Sequence, residues 1–146
     1  MKKIEGGVTA AQGFLAAGLS AGIKKGNTKD MAMLYSKVPC EAAGTFTTNI
    51  VKAAPVKWDQ KIVYESEKAQ AVICNSGIAN ACTGEEGFGC CKETAKAASL
   101  ALNIPEDSVL VASTGVIGQQ IPIEKIKKGI ENMAPLLSES ISAGTL

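Results

Sequence analysis

The chain has 146 residues, 46% hydrophobic and 20% charged, which suits one domain with a real core and excludes intrinsic disorder. All 15 basic residues are Lys. With neither His nor Arg, the chain itself excludes a Ser-His or Cys-His dyad, an imidazole metal ligand and a guanidinium clamp, and its formal charge of +1 points away from nucleic acid and membrane surfaces.

Met1-Lys2-Lys3 resembles a signal-peptide start, but Glu5 and two glycines follow at once, so no secretion signal is expected. Gly6 to Gly26 is rich in Gly and Ala and reads as irregular strand and turn. Its longest apolar run, Ala10 to Gly22, is interrupted by Gln12, Gly13, Gly18 and Ser20 and is too short to span a bilayer. Asp30 introduces a strand over Met31-Ala32-Met33-Leu34-Tyr35-Ser36. Val38-Pro39-Cys40 reads as a turn, and Gly44-Thr45-Phe46-Thr47-Thr48-Asn49 as a second strand. Pro55 opens a helix to about Tyr64, because its missing N–H costs nothing in a first turn. Gln70-Ala71-Val72-Ile73-Cys74 reads as a buried strand, and Asn75 to Asn80 as a polar loop.

Thr83-Gly84-Glu85-Glu86 has capping-box spacing, with the Thr83 hydroxyl on the N3 amide and Glu86 reaching back. The helix it starts is expected to bury Phe88, Cys91, Ala95, Ala98 and Leu102. Ser108 to Ala112 is a further strand that ends at Ser113-Thr114-Gly115. The last helix begins near Pro122 and carries Ile123, Ile126, Ile130, Met133 and Leu137 on one stripe, with Lys125, Lys127, Lys128 and Glu131 facing water. Strands alternating with helices predict an α/β domain over residues 1–146, without repeats or an obvious linker. The five cysteines, Cys40, Cys74, Cys82, Cys90 and Cys91, form no C-x-x-C pair. They read as buried free thiols, with redox chemistry at Cys90 or Cys91 as a rival.

Two segments carry candidate chemistry, each directly after a strand. Asn75 to Gly84 gathers amides, hydroxyls and glycines at a strand–helix junction, where free N–H groups can bind an anion; a tight turn with an N-cap fits the same pattern. Ala112 to Gly118 places Thr114 beside Gly115, a hydroxyl and an amide that could bind an oxyanion; an ordinary glycine turn fits equally. No G-x-G-x-x-G or P-loop pattern supports nucleotide binding.

Taken together, the motifs resemble the ornithine acetyltransferase family, the bifunctional glutamate N-acetyltransferases of arginine biosynthesis. The resemblance rests on Gly6-Gly7-Val8-Thr9-Ala10, Gly44 to Asn49, Val51-Lys52-Ala53-Ala54-Pro55-Val56, Asn75-Ser76-Gly77, Ala79 to Gly84 and Ser113-Thr114-Gly115-Val116-Ile117-Gly118, in the family's order. It implies an α/β fold with a mixed sheet and flanking helices, part of a layered α/β/β/α arrangement. It also implies acetyl transfer from N-acetylornithine to glutamate, with acetyl-CoA as a further donor in some members and no bound cofactor.

The family's precursor cuts itself into α and β chains, and an N-terminal Thr of the β chain takes the acetyl group. Thr114 and Gly115 match the family's oxyanion pair. The resemblance further implies a cytoplasmic enzyme of two α and two β chains. The sequence departs from the family at Ile50, Ile78 and Gln119-Gln120. The family's cleavage motif is not found before Leu146, so this chain is expected to be the N-terminal part of an α chain, without activity by itself. The competing reading is a non-catalytic α/β module that holds an anion at Asn75–Gly84.

Overall fold

The computed structural model describes residues 4–66 and 68–144. The signal-like start Met1-Lys2-Lys3 and the final Thr145-Leu146 lie outside them. Four strands form one sheet in the order β1 (Phe14–Leu19), β2 (Met31–Glu41), β3 (Lys68–Ile78), β4 (Val109–Val116). The first two pairings are antiparallel and the last is parallel. Three long helices pack on this mixed sheet, α1 (Ala54–Glu65), α2 (Gly84–Leu102) and α3 (Ile123–Met133), and a single turn, α4 (Ile141–Gly144), lies against β1. The parallel pair needs a crossover, which α2 supplies. This is the expected α/β class.

The core lies between the helices and one face of the sheet. Met33, Ile73, Val109 and Val111 meet Cys91, Ala95 and Ala98 of α2 and Ile126, Ile130 and Met133 of α3. The 3.6-residue stripe on α3 is thus buried as its spacing requires, with Ile123 and Leu137 packed against its ends. On α2, Phe88 and Leu102 are half-buried, while Gly87, Cys90 and Thr94 join the buried side. Pro55 sits in the first turn of α1. No helix among the described residues is long and apolar enough to cross a membrane.

Four local expectations are corrected. Gly44–Asn49 forms no strand; the Thr47 hydroxyl accepts the Asn49 N–H at 3.1 Å and the Asn49 carboxamide accepts the Val51 N–H at 2.9 Å. Such local bonds compete with a ladder, and Phe46 leaves to pack edge-on against Tyr64 of α1, with centroids 5.6 Å apart. Val38-Pro39-Cys40 is no turn but part of β2, whose register with β3 shifts between Tyr35 and Cys40. An irregularity is where a proline, which has no N–H for the ladder, fits a strand. Asn75–Ile78 belongs to β3, and Ser113–Val116 continues β4. Finally, the Thr83 hydroxyl caps no helix amide, because it donates to the buried Asn80 carboxamide at 2.8 Å.

Candidate active site

The parallel pairing of β3 with β4 sets Asn75 beside Ser113, Ser76 beside Thr114, and Gly77 beside Gly115. The two sequence segments singled out for chemistry are therefore neighbours at one end of the sheet. Thr114 is exposed, and its hydroxyl engages no other side chain among the described residues. It lines a cleft of about 220 Å³ together with Ser76, Cys74, Lys29 and Asp30. Gly115 has φ +134 and Gly77 has φ +109, both closed to ordinary L side chains. A Cβ on Gly115 would collide with the Gly77 carbonyl, so the two peptides touch directly. The buried Asn75 carboxamide donates to the Ile78 carbonyl at 2.9 Å and fixes the end of β3.

Past the strand, the chain is tied by a buried polar knot. The Asn80 amide donates to the Gly87 carbonyl at 2.9 Å and to the Cys91 sulfur at 3.3 Å, while its oxygen accepts from Thr83. The Ala79 N–H bonds the Val116 carbonyl at 2.9 Å, and Gly118 N–H bonds Ala81 at 2.8 Å. Gln120, one of the departures from the family pattern, donates to the Thr83 carbonyl at 3.1 Å. The two segments thus brace one another. A separate cleft of about 390 Å³ touches Thr83 and Gly84 at the start of α2, with Lys52 and Lys57 on its wall. The Thr83 hydroxyl is already committed to Asn80, and the Glu85 carboxylate also faces this cleft.

Of the five cysteines expected to be buried free thiols, Cys90 and Cys91 are buried, Cys40 and Cys74 are half-buried and Cys82 is exposed. The buried pair, Cys90 and Cys91, is poorly suited to reaction. Burial pushes Cys91 up to about 12, with the charge of Asp59 and the neighbouring Cys90 adding to it. Burial and the charges of Glu86 and Glu93 also raise Cys90. A thiol is nucleophilic only as thiolate, so the redox reading loses its support.

The outer edge of β4 is covered by α1. Trp58 Nε1 donates to the Val109 carbonyl at 2.9 Å, and the Asp59 carboxylate accepts the Val111 N–H at 2.9 Å. Burial raises Asp59 from 3.8 to about 6, against the lowering effect of the Val111 N–H. The folded chain therefore holds an extra proton between these values; that favourable contribution is complete below pH 3.8 and is lost as pH rises through about 6. Asp59→Asn keeps an acceptor for Val111 but removes the buried charge. It should stabilise the protein at pH 8 by about 1 kcal/mol after allowance for solvent screening at this half-buried site. The gain should vanish toward pH 4, as read by urea midpoints across pH; an equal effect at pH 4 and pH 8 would contradict the burial argument.

The ArgJ family model matches residues 15–145 of the chain. This chain belongs to the ArgJ family. It is 47% identical over 137 residues to the arginine biosynthesis bifunctional protein ArgJ of Gloeobacter violaceus, covering 94% of this chain and 34% of that relative. To the protein of that name from Thermotoga neapolitana it is 49% identical over 129 residues, covering 88% of this chain and 32% of the relative. The chain spans about a third of the length of the curated relatives it matches. Among solved structures, it matches arginine biosynthesis bifunctional protein ArgJ from Bacillus halodurans with a TM-score of 0.89 and 39% identity, over 95% of this chain and 71% of that one. It matches ornithine acetyltransferase of Mycobacterium tuberculosis, complexed with ornithine, with a TM-score of 0.91 and 41% identity, over 95% and 75%.

Within this ArgJ-family chain, Thr114 and Gly115 are consecutive on β4, and Thr114 lines the cleft beside Ser76. The residue that sequence reasoning passed over is Asp30, which it used only to mark the start of a strand. Asp30 is 3% exposed, and a carboxylate that deep is a signal only once its partners are known.

Proposed function

We propose that this chain is part of a glutamate N-acetyltransferase that moves acetyl from N-acetylornithine to glutamate, with Thr114 and Gly115 forming the oxyanion hole. The observation that carries the reading is the pairing of Gly115 against Gly77, which fixes a glycine backbone next to Thr114, an exposed residue that lines an open cleft. Membership of the ArgJ family supports the same reaction, as does the likeness to an ornithine acetyltransferase that binds ornithine.

In this reading residues 1–146 are one domain, the N-terminal part of an α chain. A Thr at the start of the β chain attacks the acetyl carbonyl, with its own α-amine, of pKa near about 8, taking the proton. The carbonyl oxygen becomes an oxyanion, held by the Thr114 hydroxyl and the Gly115 amide. The protonated α-amine returns its proton to the departing nitrogen, so collapse expels ornithine as the amine and leaves acetyl-Thr. The α-amino group of glutamate then attacks this ester through a second tetrahedral intermediate, gives up a proton to the α-amine, and restores the free Thr hydroxyl. This chain, which has no His, contributes no imidazole to the step. The proposed enzyme pairs two α with two β chains after self-cleavage, needs no bound cofactor, and works in the cytoplasm; acetyl-CoA is a further donor in some members of the family it resembles.

The test is an assay of the full-length protein for acetylglutamate formed from N-acetylornithine and glutamate, in wild type and Thr114→Val. Loss of one oxyanion donor should cost about 10²-fold in kcat. An unchanged kcat would remove Thr114 from the mechanism, and no acetyl transfer by the wild type would overturn the reaction itself.

A further inference from the structure

Asp30 lies at the start of β2 and has every hydrogen-bonding group engaged. Its Oδ1 accepts the Ala21 N–H at 2.6 Å, and its Oδ2 accepts those of Ile23 at 2.7 Å and Lys24 at 3.0 Å. Its own N–H bonds the Leu19 carbonyl at 3.0 Å, and its carbonyl accepts the Ser76 N–H at 2.8 Å. The buried carboxylate thus folds the loop after β1, while the backbone carbonyl of the same residue ties it to the end of β3. The folded loop presses on Gly77. A Cβ there would lie 2.9 Å from Lys24 Cγ and 3.1 Å from Ile23 Cγ2. On its other side the Gly77 peptide touches Gly115, leaving no room for even a methyl group between them. The layers run from the Asp30 carboxylate through the loop and Gly77 to Gly115.

We infer that Asp30 is a positioning residue for the oxyanion hole, acting through the Lys24 stem and Gly77. The inference rests on the reading of Thr114 and Gly115 given above. Two facts set it apart from a purely structural role. The contact it braces is the one that places the Gly115 backbone, and Lys24 is exposed, so its stem can be altered with little effect on the core. Packed stacks of this kind transmit small displacements, and a misplacement of about 1 Å in a catalytic group can cost on the order of 10²-fold in rate.

The experiment measures kcat and KM for acetyl transfer by the full-length protein in Asp30→Asn, Lys24→Ala and Lys24→Met, with Thr114→Val alongside. Asn offers only one acceptor oxygen, and its NH₂ would face the N–H groups of both Ile23 and Lys24, or that of Ala21 if flipped, so the loop is released. Asp30→Asn should lower kcat by about 10- to 100-fold with KM within about twofold. Lys24→Ala should lower kcat by a smaller factor, and Lys24→Met, which restores the stem without the charge, should recover most of the rate. If Asp30→Asn does not fold, the Lys24 pair decides. Unchanged kcat in folded Asp30→Asn and Lys24→Ala, with Thr114→Val impaired, would overturn the inference and spare the hole. So would equal losses in Lys24→Ala and Lys24→Met, which would point to charge. An unchanged kcat in Thr114→Val would remove the hole and the inference with it.

Discussion

Gly115→Ala should abolish acetyl transfer, with kcat falling by more than ~10³-fold, beyond the 10²–10³ typical for loss of a single oxyanion donor. The reason is steric before it is chemical. Gly115 has φ +134, a region essentially reserved for glycine. Its missing Cβ leaves the space that the Gly77 carbonyl fills. An alanine must either push β3 and β4 apart or twist its own peptide, and either change moves the Gly115 amide relative to the adjoining Thr114 and displaces Thr114 on its cleft. Strain of this kind costs about 1–3 kcal/mol, so the urea midpoint should fall as well. Both readouts are needed: a large loss of kcat in a protein that remains folded at the assay temperature assigns the effect to the site. A variant with wild-type rate and wild-type midpoint would show that the two strands do not meet as described.

What the sequence revealed, and what it hid, follows from the range of the interactions involved. The stripe on α3 was legible because Ile126, Ile130 and Met133 announce a helix face by spacing alone. The ends of β3 and β4 were not, because Asn75-Ser76-Gly77 and Ser113-Thr114-Gly115 have loop chemistry, and only their mutual parallel register makes them strand. Proline at position 39 signals a turn by local chemistry, since nothing local reports a shift in register between β2 and β3. The Thr114–Gly115 pair was visible as a hydroxyl beside a glycine amide, but that is equally an ordinary turn, and only the resemblance favoured the oxyanion reading over it. Asp30 was hidden for the plainest reason. Its partners at Ala21, Ile23 and Lys24 lie in a segment of small and basic residues with no pattern of its own, and the glycine that feels the result is far along the chain. The capping box failed differently. Its spacing was correct, but a buried Asn80 competed for the same hydroxyl and prevailed.

That competition gives the largest expected change in stability. Asn80→Ala should destabilise the protein by about 3 kcal/mol or more. Asn80 is 2% exposed, and its carboxamide is the acceptor for Thr83 and the donor to the Gly87 carbonyl. Thr83 is buried and would keep a hydroxyl with no acceptor, a penalty of about 1–3 kcal/mol. The residue also sits at φ +51, where asparagine is tolerated and alanine pays about 1 kcal/mol or more. Asn80→Asp separates the terms. It tolerates the backbone and keeps the acceptor for Thr83, but when ionised it offers Gly87 no donor and buries an unpaired charge. Burial raises such a carboxyl's pKa, so the folded state gains a proton and the variant should recover stability as pH falls. Urea midpoints at pH 8 and pH 5 for both variants test this: the Asn80→Asp deficit should shrink at pH 5 while the Asn80→Ala deficit stays. An Asn80→Ala loss below about 1 kcal/mol would mean that the knot is solvated and that the start of α2 is held by something else.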